Sequence, residues 1–176
     1  MYVAYGTDSI ISKSVTFTPG LFKIFDEIIV NASDNAQRDS RMDRLEVTIS
    51  TRENKISVFN NGAGIPVQVH KKYNMYIPTM IFGHLLTSSN YNDDEKKTTG
   101  GRNGYGAKLA NIFSKEFMVE CVDTKNGKHF TQTWNNNMSS CTDPKIRKTK
   151  AGVRYIVFDC IFESPSQKDE LINLRI

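Results

Sequence analysis

Apolar and polar positions alternate with two different periods along this chain. Over residues 20 to 39, GLFKIFDEIIVNASDNAQRD, the apolar positions recur every three or four residues. At about 100° per residue this is the spacing of one helix face. Phe25, Ile29, Ala32 and Ala36 fall on one side, with Leu21, Phe22 and Ile28 at its flanks. Thr18 supplies an N-cap and Pro19 a first-turn proline, so the spacing predicts a helix from about Pro19 to Arg38.

Elsewhere the period is two. RLEVTIS (44 to 50) alternates Leu45, Val47 and Ile49, and KISVFNNG follows after a short polar turn, which predicts a hairpin. EFMVECVD and KHFTQTW are joined through Asn126-Gly127, a dipeptide suited to tight turns, and predict a second hairpin. MYVAYG, SVTFTP and GVRYIVFD read as further strands. Short helices are expected over Pro78 to Leu86 and from about Gly104–Gly106 to just before Lys115, with a polar, glycine-bearing surface loop over 87 to 101. The expected fold is α+β: a two-layer sandwich with helices on one face of a mixed, mainly antiparallel sheet.

Composition narrows the class only modestly. At 39% hydrophobic and 24% charged residues over 176 positions, the chain fits a globular domain with a real core. No apolar run approaches a membrane span, and MYVAYGTDSI lacks the features of a signal peptide, so no membrane partner is expected. A net charge of +4 permits nucleic acid nearby without requiring it. The basic run PKIRKTKAGVR reads as a solvated loop. Three cysteines without metal-ligand spacing point to reduced thiols inside a cell, with Cys121 and Cys160 in apolar, core-like runs.

The candidate chemistry begins on the long helix. Glu27, Asn31, Asp34 and Arg38 fall within about 60° of one another, with Asn35 at the edge of the stripe. Asparagine is a poor helix former, so two on one face ask for a use. A carboxylate and a carboxamide one turn apart suit a polarised water beside a magnesium ion, which keeps most of its own waters. VFNNGAGIP then ends a strand in Asn60 and turns through Gly62 and Gly64; a carboxamide that donates and accepts suits a purine edge. TTGGRNGYGAKLAN (98 to 111) is neither a P-loop nor G-x-G-x-x-G. Glycine-rich backbone leading into a helix still favours an anion, and Lys108 adds a full charge.

Taken in this order, the three pieces resemble the GHKL (Bergerat-fold) ATPase superfamily. PGLFKIFDEIIVNASDNAQRD, NNGAGIPV, PTMIFGHLLTSSNYNDDEKKTTGGRNGYGAKLANIFS and QTWNNNM are similar to the ATPase domain of the eukaryotic-type DNA topoisomerase II family, over about residues 15 to 136. The resemblance implies ATP and Mg2+ as ligands, Glu27 as the catalytic base, and Asn31 as the metal ligand. It implies Asn60 at the adenine, and Ser88, Ser89 and Asn90 at the ribose and phosphates. Gly101, Arg102, Asn103, Gly104, Tyr105, Gly106, Ala107 and Lys108 match the lid, and Arg38 a phosphate-side arginine. It also implies a homodimer, DNA as the partner of the full enzyme, and a nuclear location. Residues 137 to 176 follow the family poorly. The 176 residues are therefore expected to be one ATPase domain, a fragment without the transducer and DNA-cleavage domains and weakly active alone. Two other readings are a nucleotide-sensing dimerisation module without useful turnover and a histidine kinase, though His70, His84 and His129 do not sit where a phosphoacceptor would. A third is a DNA-binding structural protein, read from charge alone.

Overall fold

The computed structural model describes residues 2–5, 9–12, 14, 19–84, 106–150 and 152–162. An N-terminal pair, β1 (Tyr2–Tyr5) and β2 (Ser9–Ser12), runs antiparallel; residues 15–18 of the strand expected over SVTFTP lie outside the described residues. Helix α1 spans Pro19–Arg38, with the predicted ends.

β3 (Leu45–Ser50) and β4 (Lys55–Asn60) form the expected hairpin, with Asn54 in the left-handed region at φ 50° to close the turn. A small hairpin follows, β5 (Val69–His70) with β6 (Met75–Tyr76), and leads directly into α2 (Ile77–Gly83), whose first turn carries Pro78. α3 (Gly106–Ile112) precedes β7 (Glu116–Asp123) and β8 (Lys128–Asn135). β9 (Ser140–Cys141), β10 (Lys145–Lys148) and β11 (Ile156–Ile161) complete the described chain. β10 lies within the basic run read above as a solvated loop; its pairing to β8 makes it an edge strand.

The main sheet runs β10-β8-β7-β11-β4-β3, with β9 also on β8, and every described pairing is antiparallel. The last strand, β11, inserts between the two hairpins and joins them into one surface. Its alternation is plain: Ile156, Phe158 and Cys160 are buried while Val157, Asp159 and Ile161 are half-buried. On the same face Phe117, Val119 and Cys121 of β7 and Phe130 and Trp134 of β8 are buried against the helices. Phe82 of α2 meets Phe158 edge-on at 5.3 Å and Phe117 at 6.2 Å, so aromatic contacts pin that helix to the sheet centre.

Helix α1 is rotated from the expectation. Ile24, Ile28 and Ala32 form its fully buried line, while Phe25, Ile29 and Ala36 are only half-buried and Phe22 is 51% exposed. The polar stripe therefore adjoins the buried line instead of lying opposite it. The physical reason is that α3 packs on that flank at Glu27, while the turn after β4 covers Asn35.

Candidate functional site

The site starts at the end of β4. Asn60 is 1% exposed, and its Oδ1 accepts from Asn35 Nδ2 at 2.9 Å and from the Gly62 amide at 3.2 Å. The Asn35 amide also donates to the Ala63 carbonyl at 3.2 Å. Asn35, placed by its spacing only at the edge of the stripe, thus holds the purine-edge candidate. A second carboxamide at helical spacing, four residues after Asn31, was the signal for it. Asn60 Nδ2 is buried and has no hydrogen-bond partner among the described residues. A buried donor left unpaired costs about 1–3 kcal/mol, so it points to a ligand acceptor.

The turn after Asn60 is squeezed from both sides. A Cβ on Gly62 would stand 2.4 Å from Asn35 Nδ2, and one on Gly64 would stand 1.8 Å from the Val122 carbonyl oxygen. Both glycines are required by close approach, to α1 and to β7 respectively.

Glu27 lies two turns before Asn35. Its Oε1 is 2.8 Å from Lys23 Nζ, and Lys23 also bonds Asp26 at 3.0 Å. Hydrogen bonds to Glu27 first and Asp26 second raise the pKa of Lys23. Glu27 Oε2 faces the first residue of α3: a Cβ on Gly106 would stand 2.0 Å from it. Asn31 lies one turn beyond Glu27, half-buried. On α3, Lys108 is 2% exposed, and burial lowers its pKa. Asn111 is fully buried and donates to the Phe82 carbonyl at 2.9 Å, tying α3 to α2.

The structure thus places Glu27 against Gly106 and ties Asn60 to α1 through Asn35, with Asn31 between them along α1 and Ala107 and Lys108 buried on α3. Arg38 is exposed at the end of α1. Ser88, Ser89, Asn90, Gly101, Arg102, Asn103, Gly104 and Tyr105 lie outside the described residues, as does the Thr18 cap. Among the described residues no group of three His, Cys, Asp or Glu forms a metal cage, and no helix is long and apolar enough to cross a membrane. The residues fit a sparsely ligated magnesium: half-buried Asn31, one turn from Glu27, would offer a single amide oxygen to an ion that keeps most of its own waters. A separate hollow of about 630 Å³ lies at the far end of the sheet, lined by Glu53, Lys115, Glu116 and Asn135 among others, away from this chemistry.

An acid on a long helix, a strand-end carboxamide with a free donor and a glycine-led helix define the class. Residues 19–137 match the model of the histidine kinase-, DNA gyrase B- and HSP90-like ATPases, and the chain belongs to that family. Within it the chain is similar to DNA topoisomerase 2. It is 62% identical over 149 residues to that of Candida glabrata, which covers 85% of this chain and 11% of the relative. The ATPase region of Saccharomyces cerevisiae topoisomerase II superposes with a TM-score of 0.86 at 56% identity, covering 92% of this chain and 43% of that one. The ATPase and transducer domains of Balamuthia mandrillaris DNA topoisomerase II give 0.87 at 49% identity, over 96% and 46%. The chain therefore spans about a tenth of the curated relative's length.

Proposed function

We propose that this chain binds and hydrolyses ATP as the nucleotide-binding domain of a type II DNA topoisomerase. The observation that carries the reading is what adjoins α1: Glu27 faces the start of α3, and two turns further on Asn35 holds Asn60, whose buried donor has no partner among the described residues. Phosphoryl transfer to water needs mainly positioning and charge neutralisation. Asn60 would take the adenine edge, with Asn35 fixing its orientation. Glu27 would align the attacking water, and Lys108 with the α3 amides would hold the terminal phosphate. Magnesium, held by Asn31, would neutralise phosphate oxygens. Ser88, Ser89, Asn90 and the lid residues Gly101 through Tyr105 would close over the sugar and phosphates. Arg38 would lie on the phosphate side.

In this reading residues 1–176 act as one domain of a longer polypeptide, in the nucleus, and nucleotide-driven pairing of two copies closes a gate around DNA. Glu27 favours hydrolysis over pure sensing, because a sensor has no need of that carboxylate. The test is paired: nucleotide affinity by calorimetry and phosphate release, each with and without magnesium. Glu27→Gln is expected to keep the affinity within about threefold and to remove turnover, since a water-positioning group acts mainly in the transition state. Equal loss of both would overturn the assignment.

A further inference from the structure

Six lysines crowd one corner of the sandwich, and among the described residues no carboxylate pairs with them. Lys71 and Lys72 occupy the tip between β5 and β6, Lys125 the turn between β7 and β8, and Lys128 the start of β8; Lys148 and Lys150 end and follow β10. They are gathered by hydrogen bonds rather than by sequence. Gln68 donates to Asn126 at 3.2 Å and Lys128 to the Val67 carbonyl at 3.2 Å, which seats the β5–β6 hairpin on the β7–β8 turn. The Thr149 amide donates to the Gly127 carbonyl at 3.1 Å, which brings Lys150 to the same turn. Lys148 and Lys128 are direct cross-strand partners, an arrangement of like charges that costs stability.

Among the described residues none of the six is in an ion pair, whereas Lys23, Arg41, Arg44, Lys55 and Arg154 all are. The segments that build the corner, 64–76, 123–130 and 146–150, contain Asp123 as their one carboxylate. Asp123 is 4% exposed and occupied by the amides of Val67 at 2.7 Å and Asn126 at 3.1 Å. The corner therefore projects a concentrated positive field from a chain whose net charge, these six lysines included, is only +4.

We infer that this corner is a docking surface for the phosphate backbone of duplex nucleic acid. Lysine ammoniums are compact point charges that meet phosphates without the planar base readout of arginine, so the contact is blind to sequence. A single strand would use open aromatic faces. The one tyrosine at the hairpin tip, Tyr73, has His70 against it at 5.1 Å and Lys72 over it at 5.3 Å. None of the six lysines hydrogen-bonds to Glu27, Asn31 or Asn60, so the inference stands without the nucleotide reading.

Fluorescence anisotropy of the 176-residue chain with a labelled duplex of about 30 base pairs, titrated without nucleotide across a salt series, tests it. Lys71→Glu/Lys72→Glu and Lys148→Glu/Lys150→Glu are each expected to weaken binding about tenfold or more and to flatten the log–log salt slope by roughly two. Arg52→Glu/Lys115→Glu, at the opposite end of the sheet, should stay within about threefold. Melting curves and circular dichroism confirm folding, and the matching alanine pairs replace any glutamate pair that fails to fold. Equal loss from the far-end pair, or no loss from the corner pairs, overturns the proposal. So does a single strand or polyglutamate binding as tightly as the duplex, or displacement of the duplex by ATP at its own binding concentration.

Discussion

The carboxylate of Glu27 occupies the space that a side chain on Gly106 would need: a Cβ there would stand 2.0 Å from Oε2 and 3.1 Å from the Glu27 Cβ. The clash is with the far end of a flexible side chain, so Gly106→Ala is expected to fold. Alanine in a helix even favours stability by up to about 1 kcal/mol over glycine. The carboxylate, however, has to turn away from its position over α3. Gly106→Ala should therefore keep nucleotide affinity and melting temperature while phosphate release falls by about a hundredfold, the scale of an ångström-sized misplacement. A variant that loses stability and keeps turnover would show that the contact is only packing.

Much of this arrangement is legible from periodicity. The ends of α1, both main hairpins and the burial of Cys121 and Cys160 follow from local spacing and turn residues. The helical rotation of α1 does not, because α3 decides it and α3 lies far along the chain. β10 was hidden because its residues are charged; an edge strand needs a partner's hydrogen bonds more than an apolar pattern. The stripe of Glu27 and Asn31 is readable, but the orphaned donor of Asn60 is a property of packing that no spacing encodes.

The turn after β8 bears on α3 from its other end. Asn136, Asn137 and Met138 are consecutive left-handed residues, with φ of 51°, 57° and 63°. Asn137 Nδ2 donates to the Ile112 carbonyl at 2.8 Å, and its amide donates to the Ser114 carbonyl at 3.1 Å, so the turn caps the end of α3. Asn137→Ala loses the side-chain bond and sets a Cβ residue less suited to that region, and is expected to cost about 1–2 kcal/mol. Asn137→Gly loses the same bond but relaxes the backbone, so it should be the milder variant in a denaturant melt. The reverse order would remove the left-handed turn from the explanation.

The three cysteines should separate cleanly by reactivity. Burial pushes the thiols of Cys121 and Cys160 up to about 12, and both lie in the core. Cys141 is exposed on β9. Alkylation of the native chain near neutral pH is expected to modify Cys141 alone, and all three after denaturation, because the thiolate is the nucleophile. Mass spectrometry of the digested product reads the sites. Early labelling of Cys160 would mean that β11 opens locally.

Acid should unfold this domain through two carboxylates that tie distant segments. Asp39, 7% exposed, receives Arg41 Nε at 2.8 Å and Arg154 Nη1 at 2.9 Å, joining the end of α1 to the approach to β11. The Arg41 hydrogen bonds hold its pKa below the usual carboxylate value. At Asp123, burial pushes upward, but bonds from the Asn126 side chain and the amides of Val67, Asn126 and Lys125 outweigh it, and the net shift is again downward. A folded pKa below the unfolded value of about 3.9 makes a contribution that is complete above that pH. It is lost as the pH falls through the folded values. The melting temperature is therefore expected to be flat across mildly acidic pH and to drop below about pH 4. Asp39→Asn and Asp123→Asn should each melt lower than the parent near neutrality, and each gap should close as the pH falls. A gap that stays constant down to the acid limit would assign the loss to altered packing instead of to the charge.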